Sequence, residues 1–214
     1  MIMTNDKLIV KNTVFMAVRM VITMAISLYT SRVVLAQLGI TDYGIFIVVA
    51  GLTVIMSFFT SALTAAIQRY MNFELGLTGG RGMQQIFAAC WVCVVLIAIL
   101  FVGLAETGGM WFLGSELDIP AGRMADARMV LHMSMLIVVV EMCRVPYNSL
   151  IIAHERMSFY AYNSIVESLL KLLAVIALSL ICGDKLIVYM GLLIVVSFLI
   201  NASYIVYCRH YFPG

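Results

Sequence analysis

The chain is dominated by apolar stretches that each run for about 20 residues or more and are separated by short polar segments. About 20 apolar residues are enough to cross the hydrocarbon core of a bilayer as an α-helix, whereas a membrane-spanning β-strand needs only about ten residues of alternating polarity. The pattern therefore predicts an all-α integral membrane protein with six transmembrane helices. We place them at residues 12–38, 43–68, 84–105, 127–152, 159–181 and 186–207.

The composition excludes most other classes of protein. Of the 214 residues, 64% are hydrophobic and 11% are charged, whereas soluble globular chains carry about 25% charged residues. So few charges cannot cover the surface of a soluble fold of this size, which excludes a soluble enzyme. The net charge of +2 is too small to indicate a nucleic-acid partner.

The loops predict the orientation, because cytoplasmic loops of membrane proteins carry an excess of Lys and Arg. With the first residues in the cytoplasm, the outer side would hold Lys185, the marginally placed Arg32, Arg123 and Arg128, and an acidic cluster within residues 106–118. The cytoplasmic side would hold Lys7, Lys11, Arg69, Arg81, Arg156 and Arg209. We therefore expect a multi-pass protein of a bacterial inner membrane, with both ends of this segment in the cytoplasm.

Polar side chains inside the first two spans are the first functional signal. At 100° per residue, Asn12, Arg19 and Thr23 lie on one face of the first span, in a stripe that continues to residue 37. A central Arg costs about 2.5–3.5 kcal/mol on insertion scales, so we expect Arg19 to face water or a partner. A second stripe, at residues 53–68, ends at Gln68. Its hydroxyl groups are also typical of close helix packing in bilayers.

The fourth and fifth spans carry further charges. Glu141 and Arg144 are three residues apart, and Glu167 and Lys171 are four apart, so each pair can form an ion pair on its own helix. Asn163 shares the face of Glu167 and Lys171. Two self-neutralising pairs that only fix helix packing are one interpretation. The cost of ionisable groups in a membrane favours the other, which is a functional site.

The depth of these charges predicts where that site lies. Counted from the expected cytoplasmic edge, Arg19 and the charges of the fourth and fifth spans lie in one layer, roughly 12–18 Å deep. The layer contains three positive and two negative side chains. We therefore predict a hydrated cavity that opens to the cytoplasm and is lined by the first, second, fourth and fifth spans. Its cations suit a phosphate or pyrophosphate, which Arg can bind in a bidentate manner.

Neither a metal nor another cofactor is predicted. Cys90 and Cys93 form a CxxC pattern, but a zinc site would need two further ligands. The three histidines are scattered, and there is no acidic pair at metal-binding spacing. A membrane enzyme of polysaccharide synthesis is therefore the least favoured of the interpretations considered.

Three long stretches resemble the polysaccharide-exporting flippases of the MOP superfamily, and most of all the O-antigen and capsule repeat-unit flippases common in Bacteroidetes. The stretches are residues 19–44 (RMVITMAISLYTSRVVLAQLGITDYG), 64–76 (TAAIQRYMNFELG) and 144–171 (RVPYNSLIIAHERMSFYAYNSIVESLLK). The resemblance spans essentially the whole chain.

The resemblance implies a MATE-like fold in which two lobes of six helices surround a central cavity and alternate in access. It implies a substrate such as an undecaprenyl-pyrophosphate-linked oligosaccharide, flipped from the inner to the outer leaflet, with Arg19 on a cavity-lining helix. Because family members have twelve to fourteen helices, we expect residues 1–214 to be the N-terminal lobe of a longer chain, with the C-terminal lobe and membrane lipids as its partners. The alternative is a drug/cation antiporter of the related branch, whose chemistry needs cavity carboxylates with few fixed cations.

Overall fold

The computed structural model describes residues 2–115, 121–180 and 183–211, apart from the side chains of 2–9, 11–12, 49–50, 52–53, 55–56, 112, 115 and 121. All regular structure in these ranges is helical. The helices are α1 (Ile2–Thr78), α2 (Met83–Ser115), α3 (Met124–Ala153), α4 (Met157–Ala177) and α5 (Lys185–Tyr211). Single 3₁₀ turns lie at Ala121–Arg123 and Leu178–Leu180. The predicted all-α class is confirmed.

One residue divides α1 into two arms. Gly39 has φ 78° and ψ 175°, which is not helical. Glycine adopts positive φ without the steric penalty that a Cβ brings. Gly39 therefore separates a first arm, residues 2–38, from a second arm, residues 40–78. We predicted a connection at residues 39–42 between the first two spans. The helix is interrupted there, but only at Gly39.

The first arm contacts the start of α4 near its own beginning and the start of α5 near its own end. Near its beginning, the ring of Phe15 lies 6.1 Å from the ring of Tyr162, measured between centroids. Near its end, Gln37 Oε1 accepts a hydrogen bond from Lys185 Nζ at 3.3 Å. The two partner residues lie at opposite ends of the bundle, because α4 and α5 are antiparallel neighbours.

The second arm runs in the opposite direction, alongside α3. Asp42 binds Arg123, which directly precedes α3, at 3.2 Å. Near the other end of α3, Ser149 Oγ donates a hydrogen bond to the carbonyl oxygen of Thr64 at 3.3 Å. The chain therefore reverses at Gly39, and the described residues form six segments that run up and down in turn.

Two names for the ends of the bundle follow from this topology. The proximal end contains the α1–α2 loop, the end of α3, the start of α4 and the end of α5. The distal end contains Gly39, the residues around Arg123 and the connection between α4 and α5.

Several described helices are long and apolar enough to cross a membrane. There are five such stretches: Thr13–Val48, Met83–Trp111, Met124–Ala153, Met157–Leu180 and Lys185–Tyr211. The first of them passes through Gly39, so it includes the second arm only as far as Val48. These are the helices of a multi-pass membrane protein, as the apolar runs predict.

The core forms around α3, and α2 lies at the periphery. Large apolar side chains along α3 are fully buried, among them Val130, Leu131 and Met142. In contrast, α2 exposes large apolar side chains along most of its length, which is the expected surface of a helix that contacts lipid. They include Val92, Leu96, Ile99, Leu100 and Leu104.

Candidate functional site

A polar cavity of about 420 Å³ lies between the first arm and α4. We call it the main cavity. Tyr43 and Phe46 of the second arm and Tyr189 of α5 complete its wall. Its remaining lining residues are mostly polar and come from one face of each helix: Arg19, Thr23, Ser27, Thr30, Ser31, Val34, Tyr160, Ser164, Glu167, Ser168 and Lys171. The cavity therefore brings together four of the predicted site residues, Arg19, Thr23, Glu167 and Lys171.

Arg19 brings a positive charge to the main cavity, and no carboxylate of the described side chains lies within ion-pair distance of it. Its guanidinium carbon lies 4.6 Å from the ring centroid of Tyr160, which is a cation–π contact. Its Nε atom is buried without a hydrogen-bond partner. Among the described side chains, Arg19 forms no ion pair. The guanidinium therefore has unused capacity to donate hydrogen bonds to an anion.

The hydroxyl groups that line the main cavity present oxygen acceptors. On the first arm, Thr23 and Thr30 donate to carbonyl oxygens of their own helix at 2.9 and 2.7 Å. On α4, Ser164 and Ser168 do the same at 3.0 Å. Since each proton is bound within its helix, the oxygen lone pairs are what remains for a ligand. Such a wall suits a ligand that is rich in hydroxyl donors.

A three-residue ion cluster lies at one side of the main cavity. Glu167 binds Lys171 on its own helix, Oε1 to Nζ, at 2.8 Å, which is the predicted pair. The other carboxylate oxygen, Oε2, binds Arg144 Nη1 of α3 at 2.9 Å. Arg144 also lies over the ring of Tyr204, 5.5 Å from its centroid. The cluster carries two positive charges and one negative charge.

Arg144 thus has a different partner from the one that spacing suggested. We expected Glu141 and Arg144 to pair along α3, but Arg144 reaches across to α4. The Glu167 side chain is only 17% exposed, and a buried carboxylate needs compensation more than a hydrated one does. The interhelical pair holds α3 against α4.

Glu141 faces a second cavity, of about 300 Å³. Its lining residues are contributed by the second arm, α3, α4 and α5: Phe46, Val54, Ser57, Ser134, Ile137, Glu141, Lys171, Met190, Leu193 and Ser197. Lys171 and Phe46 line both cavities. Two neighbouring cavities, with walls that share these two side chains, thus occupy the region where a single one was predicted.

Two further predicted site residues, Asn163 and Gln68, do not line the main cavity. Asn163 is buried against α5, where its Oδ1 accepts a hydrogen bond from Ser203 Oγ at 3.0 Å. Gln68 is half-buried on the second arm and does not line the main cavity. The side chain of Asn12 is outside the described part of the chain.

Sequence reasoning missed the serines of α4. Tyr160, Ser164, Glu167, Ser168 and Lys171 recur at helical spacing, so their shared face was readable from the sequence. The aromatic wall formed by residues 43, 46 and 189 left no such signal, since it depends on how three segments pack.

An ion-pair cluster at the distal end was also missed. Arg123 binds Asp42 at 3.2 Å, Asp126 at 3.1 Å and Asp184 at 2.5 Å. Hydrogen bonds to Asp126 and Asp184 raise the pKa of the Arg123 guanidinium, so its charge is permanent. We call this group the Arg123 cluster. It ties the turn at Gly39 to the start of α3 and to the connection that precedes α5.

The described side chains contain no group of three or more His, Cys, Asp or Glu residues arranged to hold a metal ion. His132 is not isolated: its Nε2 lies 3.2 Å from Glu106 Oε1, which links α3 to α2. Cys90 is buried and Cys93 is exposed, and both are free thiols on α2.

Comparisons with known proteins leave the family open. The chain matches no protein-family model, no curated protein and no solved structure.

Proposed function

We propose that this protein forms one lobe of a transporter that flips a lipid-linked oligosaccharide, carried on undecaprenyl pyrophosphate, from the inner to the outer leaflet of a bacterial inner membrane. The observation that carries the proposal is Arg19, a cation on the wall of a polar cavity with no carboxylate partner among the described residues. An unpaired charge inside a membrane-spanning helix is costly unless a ligand or water binds it.

The charge at the main cavity favours an anionic group over a cationic one. Arg144 and Lys171 share one carboxylate, and Arg19 has none. A planar guanidinium can bind phosphate oxygens in a bidentate manner, so a pyrophosphate is a fitting ligand for Arg19. A cationic drug would meet a net positive wall, which disfavours the antiporter.

The volume of the main cavity would accommodate only the first part of the proposed substrate. Ligand pockets generally measure about 300–1,000 Å³, and the main cavity is at the lower end of that range at about 420 Å³. That volume suits a pyrophosphate with its first sugar, whose hydroxyls would meet the oxygen acceptors of the wall. Space for the rest of an oligosaccharide would come from a second lobe, as in transporters that rock two units around one site.

The test follows the substrate in the native bacterium. The gene is deleted and then restored as wild type, Arg19→Ala, Arg19→Lys or Arg32→Ala. The leaflet that holds the lipid-linked oligosaccharide is measured with a membrane-impermeant glycosidase. Arg32 is the matched control, because it lies on the same arm but is exposed and does not line the main cavity.

We expect the deletion strain and Arg19→Ala to retain the oligosaccharide on the inner leaflet and to lose surface polysaccharide, at unchanged protein level. Arg19→Lys retains part of the export and Arg32→Ala all of it. An unchanged leaflet distribution in the deletion strain, in a host without a redundant flippase, would reject the proposal and direct the work to drug-efflux assays.

A further inference from the structure

A third cavity lies at the proximal end, where it shares no lining residue with the main or second cavity. We call it the proximal cavity. Its volume is about 740 Å³, larger than either of the others. The α1–α2 loop, the start of α2 and the ends of α3 and α5 form its wall: Gly80, Arg81, Met83, Gln84, Phe87, Tyr147, Leu150, His154, Cys208, Arg209 and Tyr211.

The proximal cavity carries positive charge on its rim. Arg81 lies on the loop and Arg209 near the end of α5, and none of the lining residues is acidic. Glu74 does not line the cavity; its Oε1 accepts hydrogen bonds from the backbone N–H of Gly82, at 2.9 Å, and from the Thr78 hydroxyl. Glu74 thereby fixes the loop on which Arg81 is held.

The floor of the proximal cavity is apolar and aromatic. The ring of Tyr147 packs against Phe87 and Trp91, with centroid distances of 5.3 and 5.9 Å. Met83 and Leu150 extend this apolar surface. Two arginines and an apolar, aromatic surface therefore line one cavity, which is the combination that suits an amphiphile better than a free ion.

Aromatic residues cluster at the proximal end, as is typical of segments at the level of lipid headgroups. Phe159 stacks on Tyr207 with 3.8 Å between centroids, and Tyr211 lies 4.5 Å from Tyr207. Arg156 lies over the ring of Tyr211 at 5.2 Å. Tyr and Trp concentrate where a membrane protein passes from lipid to water, because their rings are apolar and their tips are polar.

We propose that the proximal cavity binds an anionic phospholipid, with its phosphate held by Arg81 and Arg209 and its first acyl carbons on Met83 and Phe87. Basic pockets between transmembrane helices bind anionic headgroups through charge-assisted hydrogen bonds. The proposal is independent of the proposed transport function, since the two cavities have no residue in common.

Trp91 provides the measurement, because its ring contacts the cavity residue Tyr147. The full chain, with Trp111→Phe to leave one tryptophan, is reconstituted in phosphatidylcholine vesicles that contain increasing fractions of phosphatidylglycerol. In paired samples one of the two lipids carries brominated acyl chains, which quench Trp91 at short range. The ratio of the quenching curves gives the binding constant of phosphatidylglycerol relative to phosphatidylcholine.

We expect a clear preference for phosphatidylglycerol. Each of Arg81→Gln and Arg209→Gln lowers the relative binding constant by about fivefold, and the double variant lowers it by up to about 30-fold, until no preference is left. The double Lys variant, Arg81→Lys with Arg209→Lys, keeps the charge and much of the preference. Arg69→Gln is the matched control, because Arg69 is an exposed cation near the same end that does not line the cavity.

Three outcomes would overturn the proposal. The first is equal quenching by the two lipids in the wild type. The second is a preference that persists in the double Gln variant while its thermal unfolding is unchanged. The third is displacement of phosphatidylglycerol by millimolar inorganic phosphate, which would make a free anion the occupant. A preference that inorganic phosphate leaves intact supports the lipid headgroup.

Discussion

At the scale of single residues, Glu167 compensates two of the cations that lie inside the predicted spans. Its two carboxylate oxygens bind Arg144 and Lys171 separately, at 2.9 and 2.8 Å. Removing it would leave two cations close together with no anion between them. Breaking a buried ion pair by deleting one partner costs far more than the pair itself contributes, because the remaining charge is uncompensated.

We predict that Glu167→Gln lowers the free energy of unfolding by about 3 kcal/mol. Glu141→Gln is the control, because Glu141 lies in the second cavity and forms no ion pair among the described residues, so it should change stability by less than about 1 kcal/mol. Chemical denaturation in detergent measures both. Equal losses would mean that the ion cluster does not stabilise the fold.

Whether an ion pair could be predicted depends on how far apart its two residues lie along the chain. The pair Glu167–Lys171 was predicted from spacing, since residues four apart share a helix face. The pair Arg144–Glu167 was not, because spacing within α3 says nothing about which side chain of α4 faces it. The stripe through Arg19 and Thr23 did identify one wall of the main cavity.

At the scale of elements, Gly39 sets the topology of the first half of the chain. Its φ of 78° and ψ of 175° belong to a region that side chains with a Cβ enter only at a cost of about 1–3 kcal/mol. An added Cβ would meet nothing within 4 Å, so any cost there is conformational and not steric crowding by neighbours.

We predict opposite effects for two neighbouring substitutions. Gly39→Ala lowers the free energy of unfolding by about 1–3 kcal/mol, owing to its positive φ. Gly44→Ala, at a helical position where an added Cβ also meets nothing within 4 Å, raises it by about 0.4–1 kcal/mol. Thermal unfolding of the two variants side by side provides the measurement. A stabilised Gly39→Ala would argue against the turn.

Long apolar runs predicted the existence of the helices, but three helices were predicted about ten residues too short at one end. The first arm begins at Ile2 instead of residue 12, and the second arm ends at Thr78 instead of residue 68. Likewise, α2 was expected to end at residue 105 but continues to Ser115. The charge of Glu106, which suggested a loop, instead lies within α2 and pairs with His132 of α3 at 3.2 Å. Because Glu is a good helix former, its charge does not end a helix.

At the scale of the whole molecule, the reversal at Gly39 fixes which loops share a side of the membrane. In a variant without native cysteines, we predict that Thr41→Cys and Gly122→Cys react with a membrane-impermeant maleimide from one side. Gln85→Cys reacts only from the other side. All three positions are exposed, the first two at the distal end and the third at the proximal end.

A continuous α1 would give a different pattern of labelling. Residues before Gly39 would then lie on the same side as Thr41. Val10→Cys, at an exposed position of the first arm, would therefore react together with Thr41→Cys and Gly122→Cys. The reversal at Gly39 instead makes Val10→Cys react from the side of Gln85. Labelling of intact cells and of inverted vesicles distinguishes the two patterns. It also determines whether the proximal end faces the cytoplasm, as the distribution of Lys and Arg predicts.

The position of Lys171 on both the main and second cavities has a thermodynamic consequence. Its ammonium group already binds Glu167 at 2.8 Å, and it has only three N–H donors to divide between that carboxylate and the two cavities. A ligand that draws these donors into the main cavity would remove them from the second cavity, so the affinities of the two cavities would be coupled by a factor that is equal in both directions.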